Sequence, residues 1–428
     1  MNLTIRQYGH NCYLATHTIL GKHGISFKPM DSALSARHLT VICRLVDSTQ
    51  LDKALKSTDS IALESGSPNV FLRKNRYFLD AQFELPYQLW QSFTRSDIGQ
   101  DDIGISRISR RLGNQTVKFE LLDSRPHSLF AGTTGSGKTE AMKSSLVALM
   151  NSYTPNQLGI GIVDVKRSKY KDFANTSFLV APIAKDSNEI DNLIMWFGEQ
   201  FRLRRQDSIF ASDGAKRLVL VLDESQDDLL LGMKDRHNEQ NLRIVHKLVT
   251  QGRDYGIHII IGTQKPSRDG LPKILDNLDN RYTGKVVDAK ASSNATGLPQ
   301  LGAHKLTAQG DFLYIPDAFN VVRFQVAMAT QSDYDALPRA IDVKPIKTQI
   351  DTTVLNMPTK QSGRPPKIVQ PEMVARYLIS GYGNISISKA RNELGLNRTE
   401  HTRTIDFVKR LIKEVKRLKD LANRIENE

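Results

Sequence analysis

Cysteine is scarce in this 428-residue chain: only Cys12 and Cys43 occur, too few and too far apart for a disulfide framework. That excludes a disulfide-stapled secreted scaffold and points to a reducing, cytoplasmic setting. Long apolar runs are also lacking. No stretch of about 18 apolar residues occurs, and the first thirty residues have no charged start followed by an apolar segment. The expectation is a chain with neither membrane anchor nor secretion leader. Acidic residues are outnumbered, with 46 Asp plus Glu against 59 Lys plus Arg and a formal net charge of +13. Such an excess favours polyanionic partners such as nucleic acid, although it also serves simply to keep a protein dispersed. His10, Cys12, His17 and His23 lie near one another in sequence but lack the paired spacing of a zinc site, and the histidines read as scattered surface residues.

What is present divides the chain into segments. Apolar residues make up 39%, enough for one large core and at least one smaller one. Residues 1–123 mix short apolar runs with polar turns, in the manner of a small α+β domain. Residues 124–337 change to β-rich runs separated by helical stretches, the pattern of a parallel sheet with crossover helices, hence an α/β class. The runs are HSLFA (127–131), LGIGIVD (158–164), RLVLVLDE (217–224), IHIIIGTQ (257–264) and GKVV (284–287), followed by a hairpin-like pair, DFLYI (311–315) and VVRFQV (321–326). Residues 338–366 are rich in Pro, Lys, Thr and Gln and read as a linker. Residues 367–428 read as three successive helices.

Gly132-Thr133-Thr134-Gly135-Ser136-Gly137-Lys138-Thr139 satisfies G-x-x-x-x-G-K-[ST], between an apolar strand and a helix that runs from Glu140. Glycines let backbone N–H groups converge on phosphates, and the following helix adds its positive end. The candidate ligand is ATP, with residues 132–140 around it, Lys138 reaching the β and γ phosphates and the Thr139 hydroxyl on Mg²⁺. Asp223-Glu224 ends the apolar strand RLVLVL, where two acids are costly to desolvate unless a cation or substrate uses them. Asp223 is assigned to Mg²⁺ and Glu224 to general base. Thr263-Gln264 ends another such strand at the same expected sheet edge, so Gln264 is positioned to report the γ-phosphate.

With these pieces in hand, the chain resembles the FtsK/SpoIIIE family of double-stranded DNA translocases over about residues 35–330. RPHSLFAGTTGSGKT (125–139), IVDVKRSKY (162–170), VLVLDESQDDL (219–229) and QGRDYGIHIIIGTQKPS (251–267) resemble family segments in order, as do LDNLDNRYTGKVVDAKASSNATG (275–297) and GAHKLTAQGDFLYI (302–315). Val165 stands where the family usually has proline. The resemblance implies a RecA-like P-loop motor, assembled as a homo-oligomeric ring, usually a hexamer, around duplex DNA. It also implies an arginine donated across the subunit interface to the transferring phosphate, with Arg281 the first candidate and Arg253 the second. Lys265, Arg268 and Lys273, in a basic loop beyond a strand end, are candidate phosphate-backbone contacts. Soluble relatives serve plasmid transfer, mobile elements or viral genome packaging.

In the C-terminal segment, ISISKARNELG is a short helix ended by glycine, and NRTEHTR opens a longer one with polar and basic residues first. That order resembles a helix-turn-helix or winged-helix DNA reader, with Lys389, Arg391, Arg398, His401 and Arg403 as candidate contacts. A basic helical bundle used for oligomerisation fits the same pattern. Two functions therefore stand side by side: an ATP-driven duplex translocase, and a sequence-specific replication or partition factor that uses ATP only to assemble on DNA. A related HerA-type helicase or packaging ATPase is a variant of the first.

Overall fold

The computed structural model describes residues 4–346 except 76–77, 109–113, 120–124, 225–235, 267–270, 272–273, 308 and 317–319. The chain begins with α1 (Ile5–Lys22), β1 (Phe27–Leu34), β2 (His38–Leu45), α2 (Leu51–Leu55), α3 (Thr58–Ser65), β3 (Val70–Asn75) and β4 (Phe78–Glu84). Thr4 and Gln7 start α1 with a reciprocal capping box, which satisfies two N–H groups at the helix end. Tyr8, Cys12, Ala15 and Ile19 recur at helical spacing and are buried in the core of this unit. The four strands form an antiparallel sheet in the order β1-β2-β4-β3. Cys12 is fully buried, whereas His10, His17 and His23 are exposed.

The chain continues through β5 (Asp102–Arg107), β6 (Gln115–Lys118), β7 (His127–Ala131), α4 (Lys138–Ser152), β8 (Leu158–Val163), α5 (Ser187–Gln206), β9 (Arg217–Leu222), α6 (Arg236–Gln251), β10 (Ile257–Thr263), β11 (Asn280–Thr283), α7 (Ala289–Thr296), β12 (Asp311–Ile315), β13 (Val322–Val326) and α8 (Gln331–Asp335). Nine strands make one sheet in the order β6-β5-β13-β12-β11-β7-β10-β9-β8. The half from β11 to β8 is parallel, and the rest is antiparallel. Strands β7, β8 and β10 are buried at every residue, as a parallel sheet covered on both faces requires. Alternation along them feeds two cores. Leu129, Leu220 and Ile259 face the side covered by α5 and α6, and Phe130, Val221 and Ile260 face the side covered by α4.

The order places β7 at a switch point, because the chain leaves it toward β8 on one side and later returns across it to β11 on the other. Ligands in open α/β sheets bind at the C-terminal strand ends beside such a point. Ala131, Leu222 and Val163 end β7, β9 and β8 there, with Thr263 of β10 paired to Ala131 and Leu222 paired to both Ile261 and Val163.

Three expectations are corrected. The boundary at residue 123 is misplaced, because β5 pairs with β13 and β6 with β5, so 102–118 belong to the large sheet. The fifth parallel strand is Asn280–Thr283 rather than GKVV: Tyr282 stacks on Phe130 at 4.7 Å, while Val287 is exposed. Lys285 instead holds the glycine-rich loop, its carbonyl accepting from Thr133 N at 2.8 Å and Thr133 Oγ1 at 3.0 Å. The expected linker also starts late, since Pro338 O accepts from Ser177 N and Ala340 N donates to Asn175 O. The C-terminal helices and their candidate contacts lie outside the described residues.

Candidate active site

The loop from Gly132 to Gly137 leaves β7 and turns into α4 at Lys138. Gly137 caps the helix in the left-handed region (φ 91°) and makes no side-chain cap hydrogen bond, so the first-turn N–H groups face the loop. A neighbouring segment braces the loop from behind: Gln309 N donates to Gly135 O at 3.1 Å and Gly310 N to Ser136 O at 2.7 Å. A Cβ on Gly137 would lie 2.6 Å from Gly310 N. Gly137→Ala therefore combines a strained backbone with a clash against this brace. We expect it to weaken nucleotide binding by roughly 10–100-fold, the equivalent of about 1–3 kcal/mol of strain, while circular dichroism stays native. Isothermal titration checks this.

Opposite the loop, Asp223 and Glu224 follow β9 and are both buried. Lys138 pairs with Asp223 Oδ1 and lies 3.7 Å from Glu224 Oε1. Thr139 Oγ1 donates to Asp223 Oδ2 at 3.3 Å. Gly262 on β10 makes room, since a Cβ there would meet Asp223 Oδ1 at 2.5 Å. Glu224 takes φ 57°, a conformation costly for a side-chain-bearing residue and concentrated at functional sites. Its Oε2 accepts from Gln264 Nε2 at 2.7 Å, and Gln264 Oε1 accepts from Thr134 Oγ1 at 3.1 Å. A continuous line of hydrogen bonds thus joins the loop tip, the end of β10 and the carboxylate.

Two lysines that the sequence reading did not single out complete the cluster. Lys166 Nζ lies 2.9 Å from Glu224 Oε1, and Lys169 Nζ lies 2.9 Å from the same oxygen and 3.0 Å from Thr139 Oγ1. Burial opposes the charge on Lys169, but Asp223 and Glu224 outweigh it and hold its pKa above the usual lysine value. Tyr170 OH donates to Asp223 Oδ2 at 3.3 Å, and burial followed by this carboxylate pushes the phenol well up, so it stays a neutral donor. The available signal was position: both lysines stand just beyond the end of a buried strand, β8, at the edge that carries the acids.

The donor set fits a magnesium nucleotide. Among the described residues, buried Ser136 Oγ has no hydrogen-bond partner, inside a loop whose helix end is uncapped, which suits an anion. A hydroxyl and a carboxylate at 3.3 Å, Thr139 and Asp223, are hard oxygen ligands of the kind magnesium takes together with phosphates.

Residues 100–296 match the FtsK/SpoIIIE family model. Residues 100–296 are an FtsK/SpoIIIE-family domain. DNA translocase FtsK of Caldanaerobacter subterraneus is 26% identical over 233 residues, which is 50% of this chain and 32% of the relative. DNA translocase FtsK of Helicobacter pylori is 25% identical over 311 residues, 67% of this chain and 34% of the relative. The chain thus spans about a third of the length of these relatives. A structure of the pCW3 conjugation coupling protein TcpA with ATPgS aligns at a TM-score of 0.45 and 16% identity, covering 74% of this chain and 95% of that one.

Within the FtsK/SpoIIIE domain, Lys138, Thr139, Asp223, Glu224 and Gln264 come together. Glu140 stands in the first turn of α4 and pairs with Lys143 at 3.3 Å. Arg281 requires correction as the arginine given to a neighbouring subunit. Its Nε, Nη1 and Nη2 donate to Leu278 O, Asn294 O and Leu275 O of its own chain at 2.8, 3.0 and 2.8 Å, tying β11 to the end of α7. Arg253 is exposed after α6 and remains the candidate. Lys265 is exposed beyond β10, while Arg268 and Lys273 lie outside the described residues. Among the described residues, no helix is long and apolar enough to cross a membrane.

Proposed function

We propose that this protein is an ATP-driven translocase of double-stranded DNA, working in the cytoplasm as a homo-oligomeric ring of the hexameric kind in plasmid, mobile-element or viral DNA transfer or packaging. The observation that carries this reading is the meeting of Lys138, Thr139, Asp223, Glu224 and Gln264 at one sheet edge inside an FtsK/SpoIIIE-family domain. Lys138 and the first-turn N–H groups of α4 bind the phosphates, and Glu224 accepts the proton of the attacking water. Magnesium, when bound, would be held by Thr139 and Asp223 and would offset phosphate charge. Gln264 links Glu224 to Thr134 at the loop tip, so occupancy of the loop is felt at the base, and Lys265 begins the loop proposed to grip the DNA backbone. Arg253 is the proposed donor across the ring interface, and the winged-helix or helix-turn-helix segment is proposed to select the loading site.

The test is steady-state ATP hydrolysis by the full chain with and without duplex DNA, together with displacement of a triplex-forming strand from a blunt duplex. Duplex DNA should raise turnover and the third strand should be displaced, and Lys138→Ala should abolish both. Undiminished turnover in Lys138→Ala overturns the reading.

A further inference from the structure

Lys169 sits in the turn after β8. Asp164 Oδ2 accepts from Lys169 N at 2.8 Å and Tyr170 N at 3.1 Å and pins the turn. The side chain is thereby aimed across the site. Its ammonium lies 3.0 Å from Thr139 Oγ1 and 3.4 Å from Asp223 Oδ2, the two oxygens that suit magnesium, and 2.9 Å from Glu224 Oε1. The other two lysines reach the acid pair elsewhere than at Asp223 Oδ2: Lys138 pairs with Asp223 Oδ1 and lies 3.7 Å from Glu224 Oε1, and Lys166 shares Glu224 Oε1 with Lys169.

Resting on the nucleotide reading above, we infer that Lys169 is a tethered counter-cation that competes with magnesium for Thr139 Oγ1 and Asp223 Oδ2, so that metal loading requires its ammonium to leave them. Two cations within hydrogen-bond range of the same oxygens repel each other, and Thr139 and Asp223 alone give magnesium too few ligands to offset that repulsion. Phosphate oxygens supply the missing ligands and attract the released ammonium. Metal and nucleotide therefore enter together, and free magnesium is discriminated against. The same ammonium helps to keep the buried acid pair neutralised, together with Lys138 and Lys166.

The experiment titrates Mg²⁺ against the full chain at fixed concentration of a fluorescent ATP analogue, for wild type, Lys169→Met, Lys169→Gln and Lys169→Arg, and reads the Mg²⁺ midpoint of nucleotide binding. Melting curves in EDTA and in Mg²⁺ accompany it. Removing the charge in Lys169→Met or Lys169→Gln should lower the midpoint by at least about tenfold, the lower end of what one adjacent charge does to another group's ionic equilibrium. Both should also melt earlier than wild type in EDTA, and Lys169→Arg should keep the wild-type midpoint. A midpoint unchanged or raised in both neutral variants overturns the competition. So does weaker nucleotide binding in them at saturating Mg²⁺ without a midpoint shift, since Lys169 would then act on phosphate alone. A wild type that binds no nucleotide at any Mg²⁺ concentration instead overturns the nucleotide reading, and the inference with it.

Discussion

Glu224→Gln should bind ATP at least as tightly as wild type yet hydrolyse it about 10²–10⁴-fold more slowly, the loss expected when a positioned general base is removed. In barrier terms this is about 2.7–5.4 kcal/mol. Glutamine keeps the shape of the side chain, and its oxygen can still accept from Lys166 and Lys169; its amide nitrogen then faces Gln264, whose own amide must turn over to present its oxygen. The substituted glutamine cannot take up the proton of the attacking water. The substitution also removes one negative charge facing three lysines, 138, 166 and 169, which makes the site more attractive to an anion. The expected signature is therefore a fall in turnover with no rise in the dissociation constant, measured by single-turnover hydrolysis beside a binding titration. Turnover within about twofold of wild type would remove Glu224 from the chemistry. The variant also separates the two functions open from sequence. A factor that uses ATP only to assemble on DNA would keep its DNA occupancy in Glu224→Gln, whereas a motor would stall on DNA with nucleotide bound.

Strands β7 to β10 were legible because each is buried on both faces and so reads as a mainly apolar run, such as RLVLVL or IHIIIG, ending in a polar residue at one edge, whereas β11, Asn280–Thr283, is too polar to stand out. The loop was legible because phosphate binding fixes glycine, lysine and threonine at set spacings. What escaped depends on partners remote in sequence. Strands β5 and β6 look like any short strands, and it is the pairing of Ile105 with Gln325 and of Gly104 with Val326 that assigns them to the large sheet. Arg281 looked free to serve a neighbour because its partners are backbone carbonyls, which leave no trace in a residue pattern. Lys166 and Lys169 look like ordinary solvated lysines until β8 and β9 are set side by side and the acids of one face the turn of the other.

Asp311→Asn should destabilise the chain by about 3–5 kcal/mol, the usual cost of leaving one member of a buried ion pair without its partner. Asp311 opens β12 and takes the Arg323 guanidinium in a two-pronged pair, Oδ1 from Nε at 2.9 Å and Oδ2 from Nη2 at 2.7 Å. Thr307 N and Oγ1 fill the remaining acceptor capacity of Oδ2, at 3.0 and 2.8 Å. The third guanidinium nitrogen, Nη1, donates to Gln82 Oε1 at 3.0 Å, so the pair fastens β4 of the small domain to the large sheet. Immediately before Asp311, Gly310 braces the phosphate loop through Ser136 O. Loosening the pair should thus also weaken nucleotide binding from a distance. Burial alone would raise the Asp311 pKa, but Arg323 overcomes it and brings the carboxyl down to about 2. A folded-state pKa below the unfolded one means a stabilisation that is complete above about pH 4 and is lost as pH falls toward 2. Urea unfolding at pH 7 should show the full loss in Asp311→Asn. The difference from wild type should shrink over that acid window, as protonation removes from the wild type the charge that the variant already lacks. The paired replacement Asp311→Leu with Arg323→Met should recover most of the stability, because two apolar chains of similar volume leave no buried charge behind. A single Asp311→Asn variant within about 0.5 kcal/mol of wild type would instead place the pair among the exposed bridges that contribute little.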